Sequence, residues 1–531
     1  MNKRVTAILL SGFLVAALLV GCGGKKYDTD ASKAGAKTES MEAKDSLVIG
    51  VSSEFSQIVP NSNNTAVANR DGIVIYALYD TLLWRNIENG DIEPCLATGY
   101  EVSDDGLEYL VTLREDVTFH NGDTMDAEDV AWTYNLLPDN PNVMSQQAPT
   151  FDHAEVVDEY TVKFVLTSPF APFINFMASY HMGILSKDYF EEVGSWDAYI
   201  QKPVGTGPYK FISRTIGTNL ILEGYDGYWD KVPEIKNVTI NILPDANSQI
   251  ISLENGEVDA LVNVNVQNLL YLKEDSGAKW ESTISDMGTQ LGFNSGNPVV
   301  MGDENLRKAI VSAINYDGLI DGVMGGYTEK AQANTHDNAG ITARPADGTF
   351  VEAMSYDIDK AKEYLAASNY SGEQLTIICV SGSTEESIAK IIQGDLQTAG
   401  INAQVNPIDG ASYWAKYYEP TSYELSLNTF LPSLFDSFNL SQGMARNARV
   451  YKDSVNPDKE ILADLAERGM EEMNPEARTE IYRQYLNIIN EHVYAGWIMY
   501  SANTLAYRTG LENAHPIAGS NLRISDWYWK K

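Results

Sequence analysis

The sequence contains few cysteines and few basic residues. Its 531 residues include three Cys and six His, and 38 Lys and Arg stand against 73 Asp and Glu, which gives a formal net charge of −35. Three cysteines make no disulfide framework, and Cys95 and Cys379, which lie far apart, are predicted to be buried thiols. A chain this acidic is repelled by phosphate backbones, which argues against a nucleic-acid-binding protein.

Motifs of the common enzyme classes are absent from the sequence as well. It has no GxxxxGK[ST] phosphate loop, no GxSxG nucleophile elbow and no HExxH zinc helix. The segment GTG at 205–207 begins like a dinucleotide-binding loop, but Lys210 stands where that loop needs a third glycine. No two histidines pair at a metal-ligand spacing. We therefore expect no catalytic activity, no cofactor and no metal site, with an anchored hydrolase as the last alternative.

The first residues have the pattern of a bacterial lipoprotein signal peptide. Lys3 and Arg4 precede an apolar run at 5–21, which is at the short end for a membrane span. The run ends in LVGC, which resembles a lipobox, so Cys22 is predicted to become the lipid-modified first residue. An uncleaved anchor with an incidental cysteine is the alternative. Residues 22–45 are small and polar, which is typical of a flexible tether at the outer face of the cytoplasmic membrane.

From residue 46 the chain alternates between strand and helix patterns. Apolar, β-branched runs predict strands at 46–51, 109–113 and 160–166. Ser383 and Glu386 form a capping-box pattern that begins a helix, and a strand is predicted at 401–405. Because strands and helices alternate without an internal repeat, we expect α/β lobes with mixed sheets.

Four segments follow one another at close spacing between residues 91 and 135. They read PCLA at 94–97, VSDDGLEY at 102–109, LREDVTFHNG at 113–122 and AEDV at 127–130. In this order they resemble the signature region of the family 5 extracellular solute-binding proteins, the peptide and nickel class of bacterial ABC importers. GTGPYKF at 205–211 and LRKAI at 306–310 continue the resemblance, which extends over residues 46–531.

The resemblance implies a two-lobed, periplasmic-binding-protein-like fold with an extra subdomain and a ligand cleft between the lobes. The chain would cross between the lobes twice, near Phe293 and near Tyr500, and these crossings would form the hinge. The expected division is a signal peptide at 1–21, a tether at 22–45, a first lobe at 46–83, 203–292 and 501–531, its extra subdomain at 84–202, and a second lobe at 293–500.

The resemblance also implies a function. The lobes would close on an extracellular solute, most simply a di- or oligopeptide, and deliver it to an ABC permease with its ATPase subunits. The protein would act as a monomer anchored through lipid. Two alternatives stay open: the same role for an oligosaccharide, a nickel chelate or another metabolite, and a signalling or scavenging receptor without a permease. Bare nickel is disfavoured because no His/Cys cluster exists.

The family places ligand contacts in the loop after the first strand and at about 410–450. In the first stretch, Asn63 and Asn64 are the candidate hydrogen-bonding residues, with a plain polar turn as the alternative. In the second, the strand pattern of YELSLNTF ends at Phe430, where the family has Trp. Phe430 would form an aromatic wall of the cleft, with core packing as the alternative.

One departure from the family concerns the charges at the ends of a bound peptide. Peptide binders of the family carry an Asp that pairs with the ligand's ammonium, and here that position is Ser433. A neutral hydroxyl does not compensate a buried cation. Either Asp436 takes this role from a shifted loop, or the ligand has no free amine there. Arg446 and Arg449 would bind a carboxylate, with plain surface arginines as the alternative.

Overall fold

The computed structural model describes most of the chain. It covers residues 44–60, 71–86, 90–139, 148–334, 336, 350–419, 421–430, 443–517 and 522–531. Several sequence predictions lie outside these ranges: the signal peptide with Cys22, the loop residues Asn63 and Asn64, and the ammonium-site candidates Ser433 and Asp436. Within the described residues, no helix is both long enough and apolar enough to cross a membrane.

The described residues form eighteen strands and sixteen α-helices, with two short 3₁₀ helices at Tyr180–Met182 and Ile524–Asp526. The strands are β1 (Ser46–Val51), β2 (Leu83–Arg85), β3 (Ile92–Pro94), β4 (Ala97–Val102), β5 (Glu108–Leu113), β6 (Phe151–Asp158), β7 (Thr161–Leu166), β8 (Tyr209–Thr215), β9 (Asn219–Gly224), β10 (Asn237–Ile242), β11 (Ala260–Val262), β12 (Ala278–Phe293), β13 (Leu375–Val380), β14 (Ala403–Ile408), β15 (Leu425–Phe430), β16 (Ala495–Arg508), β17 (Leu511–Glu512) and β18 (Tyr528–Trp529). The helices are Gly72–Leu78, Ala127–Asp139, Phe173–Met177, Lys187–Val193, Trp196–Gln201, Ala246–Asn255, Val266–Leu269, Pro298–Met301, Glu304–Ala313, Tyr316–Met324, Ile358–Ala367, Thr384–Ala399, Gly410–Tyr417, Arg449–Asp453, Lys459–Glu471 and Pro475–Glu491.

A ten-stranded mixed sheet organises the fold. Its order is β14-β13-β15-β12-β16-β11-β1-β10-β9-β8, and a separate four-stranded sheet has the order β4-β5-β7-β6. One hydrophobic core, called the first core, contains Ile49 and Ile240 of the large sheet together with Val111 of the small sheet. The second core contains residues from the other half of the large sheet, among them Ile377 of β13 and Leu427 of β15. The predicted two-lobed α/β class with mixed sheets is confirmed.

Local sequence signals account for several elements. The strand at 46–51 and the one at 109–113 are present, and Ser383 caps the helix Thr384–Ala399 by accepting from the Glu386 N–H. The second hydrogen bond of the capping box is shifted by one residue, because the Glu386 carboxylate accepts from the N–H of Gly382 and not from that of Ser383. The strand predicted at 401–405 begins at 403 and continues through Pro407, which an edge strand such as β14 tolerates.

The central strands β12 and β16 connect the two halves of the large sheet. Ile284 pairs with Ala502, but the next pair is Gly288 with Tyr500, so β12 bulges at this point. Ala278 and Trp280, at the start of β12, pack against a small separate core that contains Leu253 and Leu261. Ile284 and Leu291 pack in the second core, so the change of core along β12 occurs between residues 280 and 284. The predicted domain limits, including the crossings near residues 293 and 500, stay predictions.

Candidate functional site

A cavity of about 1050 Å³, called the central cavity, lies between the four-stranded sheet and the second core. Thr150 and Pro169, which flank β6 and β7, line one side. Phe293, Phe430 and Tyr485, which pack in the second core, line the other. Small-molecule sites have volumes of roughly 300–1,000 Å³, so this cavity is slightly larger than the usual range.

An aromatic shelf, formed by Trp414, Tyr417 and Tyr418, borders the central cavity. Positions 414, 417 and 418 share one face at the end of the helix Gly410–Tyr417 because residues three and four apart are neighbours on a helix. The ring centroids of Trp414 and Tyr417 are 5.5 Å apart, and those of Tyr417 and Tyr418 are 5.3 Å apart. Trp414 is 49% exposed and Tyr418 is 45% exposed, so both offer apolar ring surface to a solute.

Phe430, the predicted aromatic wall, lies at the end of β15 and lines the central cavity. It also packs in the second core, with ring centroids 5.6 Å from Trp497 and 6.1 Å from Tyr500. Opposite it on β12 stands Gly288, where a Cβ atom would overlap the Phe430 ring. The glycine therefore provides the space that the aromatic ring occupies.

The two predicted arginines have different surroundings. Arg449 lines the central cavity, and its Nε lies 3.9 Å from the Asp453 carboxylate, a weak exposed ion pair. Its guanidinium lies 5.7 Å from the ring centroid of Tyr418. Arg446, by contrast, is paired through its guanidinium with Glu467. An incoming carboxylate would therefore reach Arg449 more easily than Arg446.

A smaller pocket of about 140 Å³ adjoins the bulge of β12 on the side of the first core. Ser52 and Ser53, directly after β1, line it together with Met287 of the bulge and Asn503 of β16. The end of β1 thus faces the central strands. The predicted ligand residues Asn63 and Asn64 follow about ten residues later in the chain and lie outside the described residues.

Burial makes three of the tyrosines that line the central cavity harder to ionise. Burial raises the pKa of Tyr417 to about 12, and burial also raises the pKa values of Tyr485 and Tyr494. These phenols therefore remain neutral at physiological pH. In the part of the chain that the structure covers, no group of three or more His, Cys, Asp or Glu is placed to hold a metal ion.

Sequence reasoning missed the residues that the fold brings to the cavity from distant segments. The run SYWAKYY at 412–418 signals an aromatic cluster, but nothing local indicates that it faces a cleft. Thr150, Asn334 and Asn456 also line the cavity and carried no sequence signal. Both predicted buried thiols, Cys95 and Cys379, are confirmed.

Residues 91–452 match the family model of the bacterial extracellular solute-binding proteins, family 5. The glutathione-binding protein GsiB of Salmonella paratyphi A is 25% identical over 85% of this chain and 87% of its own length. The oligopeptide-binding protein AppA of Bacillus subtilis is 23% identical over 96% of both chains. Among solved structures, the ABC transporter substrate-binding protein CtaP of Listeria monocytogenes has a TM-score of 0.79 at 25% identity, over 92% of this chain and 100% of that chain.

These matches are to solute-binding proteins, not to enzymes. The family model covers more than half of the chain, and it spans most of the residues that line the cavity. The chain belongs to the bacterial extracellular solute-binding proteins of family 5, the substrate-binding proteins of ABC importers for peptides and related solutes.

Proposed function

We propose that this chain is the lipid-anchored receptor of an ABC importer that captures a di- or oligopeptide outside the cell. Cys22 carries the lipid, the protein acts as a monomer, and the captured peptide passes to a permease with its ATPase subunits. The central cavity carries the proposal, because its walls come from separate parts of the chain. A solute that contacts both walls favours the closed arrangement over the open one.

A peptide as the solute is supported by the size and the walls of the cavity. A volume of about 1050 Å³ accepts more than one amino-acid residue. Exposed aromatic rings contact many kinds of side chain, which suits a receptor for peptides of varied sequence. AppA, similar over nearly its whole length, is an oligopeptide-binding protein, and GsiB is a glutathione-binding protein.

The charged ends of the peptide need partners of opposite sign. Arg449 is the candidate for the carboxylate, since its own ion pair is long and exposed. Arg446 becomes a partner if it leaves Glu467. Asp436 is the candidate for the ammonium, because Ser433 occupies the position of the acidic residue in peptide binders of the family. Asn63 and Asn64 remain candidates for polar contacts from the first lobe.

A non-peptide solute is the second candidate function. Trp414 favours it, because a half-exposed indole beside a cleft also stacks on the apolar face of a sugar ring or on an aromatic metabolite. The role in import would be the same. The identity of the bound solute distinguishes the two candidates.

Small-angle X-ray scattering tests lobe closure on peptides. Adding a pool of short peptides is expected to lower the radius of gyration of the protein, whereas an equal concentration of free amino acids is not. No change with peptides, together with a decrease on adding oligosaccharides, would replace the first candidate by the second.

Fractionation of the producing cells tests the lipid anchor. The wild-type protein is expected in the membrane fraction, and Cys22→Ala is expected to lose the lipid mass and the membrane association. Cys95→Ala, which alters a buried thiol, serves as the control and is expected to remain membrane-bound. A wild-type protein without lipid mass would refute this part of the proposal.

A further inference from the structure

Two buried carboxamides line the central cavity without their hydrogen bonds. Asn334 is 2% exposed and Asn456 is 3% exposed, and both lie in the cavity wall. The Nδ2 and the Oδ1 of Asn334 and the Nδ2 of Asn456 have no hydrogen-bond partner among the described residues. Buried polar groups are nearly always paired in folded proteins, so three orphaned atoms beside one cavity point to a partner that the fold itself does not supply.

The orientation of Asn456 is fixed by its own backbone contacts. Its Oδ1 accepts a hydrogen bond of 2.8 Å from the backbone N–H of Asp458, so the Nδ2 is the end that lacks a partner. For Asn334 neither end has a partner, and either orientation of the carboxamide contains one acceptor and one donor group. The two residues together present an acceptor and two donor groups.

A neighbouring asparagine shows what a structural carboxamide looks like in this protein. Asn490 is 3% exposed, close to the exposure of Asn334. Its Nδ2 donates to the carbonyl oxygens of Gln332 and Val351, at 3.1 and 2.7 Å. Its Oδ1 accepts from the indole N–H of Trp497 at 2.7 Å. The Asn490 side chain therefore links three other segments by hydrogen bonds, whereas the Asn334 side chain makes no hydrogen bond within the described residues.

The chemistry of these orphaned atoms selects one class of ligand group. A carboxylate would satisfy the Nδ2 of Asn334 but leave its Oδ1 without a donor, and an ammonium would do the reverse. An amide offers both a donor and an acceptor. The N–H and C=O of one extended residue point the same way, so one main-chain residue can pair with both ends of a single carboxamide. The side-chain amide of an Asn or Gln in the ligand can pair with it in the same manner.

We propose that Asn334 and Asn456 form an amide-binding subsite of the central cavity. Asn334 pairs with a donor and an acceptor of the ligand, and Asn456 donates to a further ligand oxygen. The inference rests on the proposed function, since it assigns the part of a captured peptide that these residues hold. Burying the unpaired amide atoms of these two residues costs free energy, because no protein hydrogen bond replaces those with water. Hydrogen bonds to the ligand offset this cost when it binds.

The subsite predicts an unusual combination of effects for Asn334→Leu. Replacing an unpaired buried amide by an apolar group of similar size does not destabilise the fold, because no protein hydrogen bond is lost. The full-length variant, purified in detergent, is therefore expected to melt at or above the wild-type temperature without ligand. Asn490→Leu, the matched control, loses three hydrogen bonds and is expected to melt lower.

Native mass spectrometry with a pentapeptide library AAXAA, in which X is any residue except Cys, measures the binding effect. Asn334→Leu is expected to capture the library about ten- to hundredfold more weakly than wild type. A loss that is uniform over X identifies main-chain amides as the partners. A loss confined to X = Asn or Gln identifies side-chain amides.

Two other outcomes have separate meanings. Suppose that wild type captures the library. If Asn334→Leu then captures it equally well, or if Asn334→Leu melts at a temperature as low as Asn490→Leu, the amide subsite is refuted but the peptide-receptor function is not. If wild type captures no member, both the peptide function and the amide subsite are refuted.

Discussion

The backbone N–H of Ala171 donates a hydrogen bond of 2.8 Å to the carbonyl oxygen of Met470. Ala171 follows the four-stranded sheet, whereas Met470 lies near the end of the helix Lys459–Glu471, which packs in the second core. The Met470 side chain also packs on the first core. The two parts of the protein that face each other across the central cavity are thus joined directly, away from the central strands.

This contact predicts that Met470 helps to hold the lobes together. Met470→Ala keeps the main-chain hydrogen bond but removes apolar contact that exists only when the two parts touch. Affinity for a captured peptide is expected to fall roughly three- to tenfold, with a larger radius of gyration before ligand is added. Met354→Ala, which changes a residue packed within the second core, serves as the control. Equal affinity and equal scattering for wild type and Met470→Ala would contradict this role.

The close packing of Gly288 against Phe430 predicts that any side chain at position 288 destabilises the fold. A Cβ atom at residue 288 would overlap the Phe430 ring and lie 2.5 Å from the Met499 carbonyl oxygen. Gly288→Ala is therefore expected to lower the free energy of unfolding by about 1–3 kcal/mol in urea titration.

Gly394 provides the matched control for this substitution. It lies inside the helix Thr384–Ala399, and a Cβ atom there would meet nothing within 4 Å. Gly394→Ala is expected to raise the free energy of unfolding by about 0.5–1 kcal/mol. If both variants shifted stability in the same direction, the steric account of Gly288 would be wrong.

His120 predicts a loss of stability in acid. Its Nε2 donates to the Gly207 carbonyl oxygen at 2.9 Å, and its Nδ1 accepts from the Gly205 N–H at 3.2 Å, so the folded protein holds the neutral ring. Burial lowers the pKa of His120 to about 4. Because the folded pKa lies below the unfolded value of about 6.5, this contribution is complete above pH 6.5. It is lost as the pH falls from about 6.5 to 4.

Urea unfolding of wild type and His120→Gln between pH 7.5 and 4 measures this effect. Wild type is expected to lose up to about 3 kcal/mol more than the variant over this range. The difference between the two proteins isolates His120 from the other titrating groups. Parallel pH profiles would show that the ring does not titrate with folding.

Trp414 predicts an effect on binding. Because its ring is half buried and packs against Tyr413 and Tyr417, with ring centroids 5.2 and 5.5 Å apart, Trp414→Ala is expected to lower the free energy of unfolding by about 1–2 kcal/mol. Calorimetric affinity for a captured solute is expected to fall about three- to tenfold, since ring contacts are lost. Tyr271→Ala, which removes a 79% exposed ring outside the cavity wall, is the control. A similar affinity loss in both variants would argue against the shelf.

The parts of the fold that short-range signals control were predictable. The Ser383 cap and the strand at 46–51 depend on neighbouring residues, and the segments between 91 and 135 indicated the family and hence the two lobes. The cavity depends on contacts between distant segments. Asn334 and Asn490 are alike as residues in the sequence, and their different hydrogen bonding appears only after folding.

The predicted ligand residues also differ in whether a sequence pattern or only the folded structure revealed their surroundings. Phe430 was placed through the family pattern, and it lines the cavity while also packing in the core. Arg446 lies in a turn, whereas its partner Glu467 lies in the helix Lys459–Glu471, so no local pattern indicated that the guanidinium is paired. The roles of all these residues in binding stay predictions.

Native mass spectrometry of the gently purified protein tests the central claim most directly. The account predicts a series of bound masses that correspond to short peptides, which are released when the protein is denatured. Asp436→Asn would then be tested as the partner of the peptide ammonium. A single bound mass that no peptide composition explains would contradict the peptide receptor and identify the solute that the cavity binds instead.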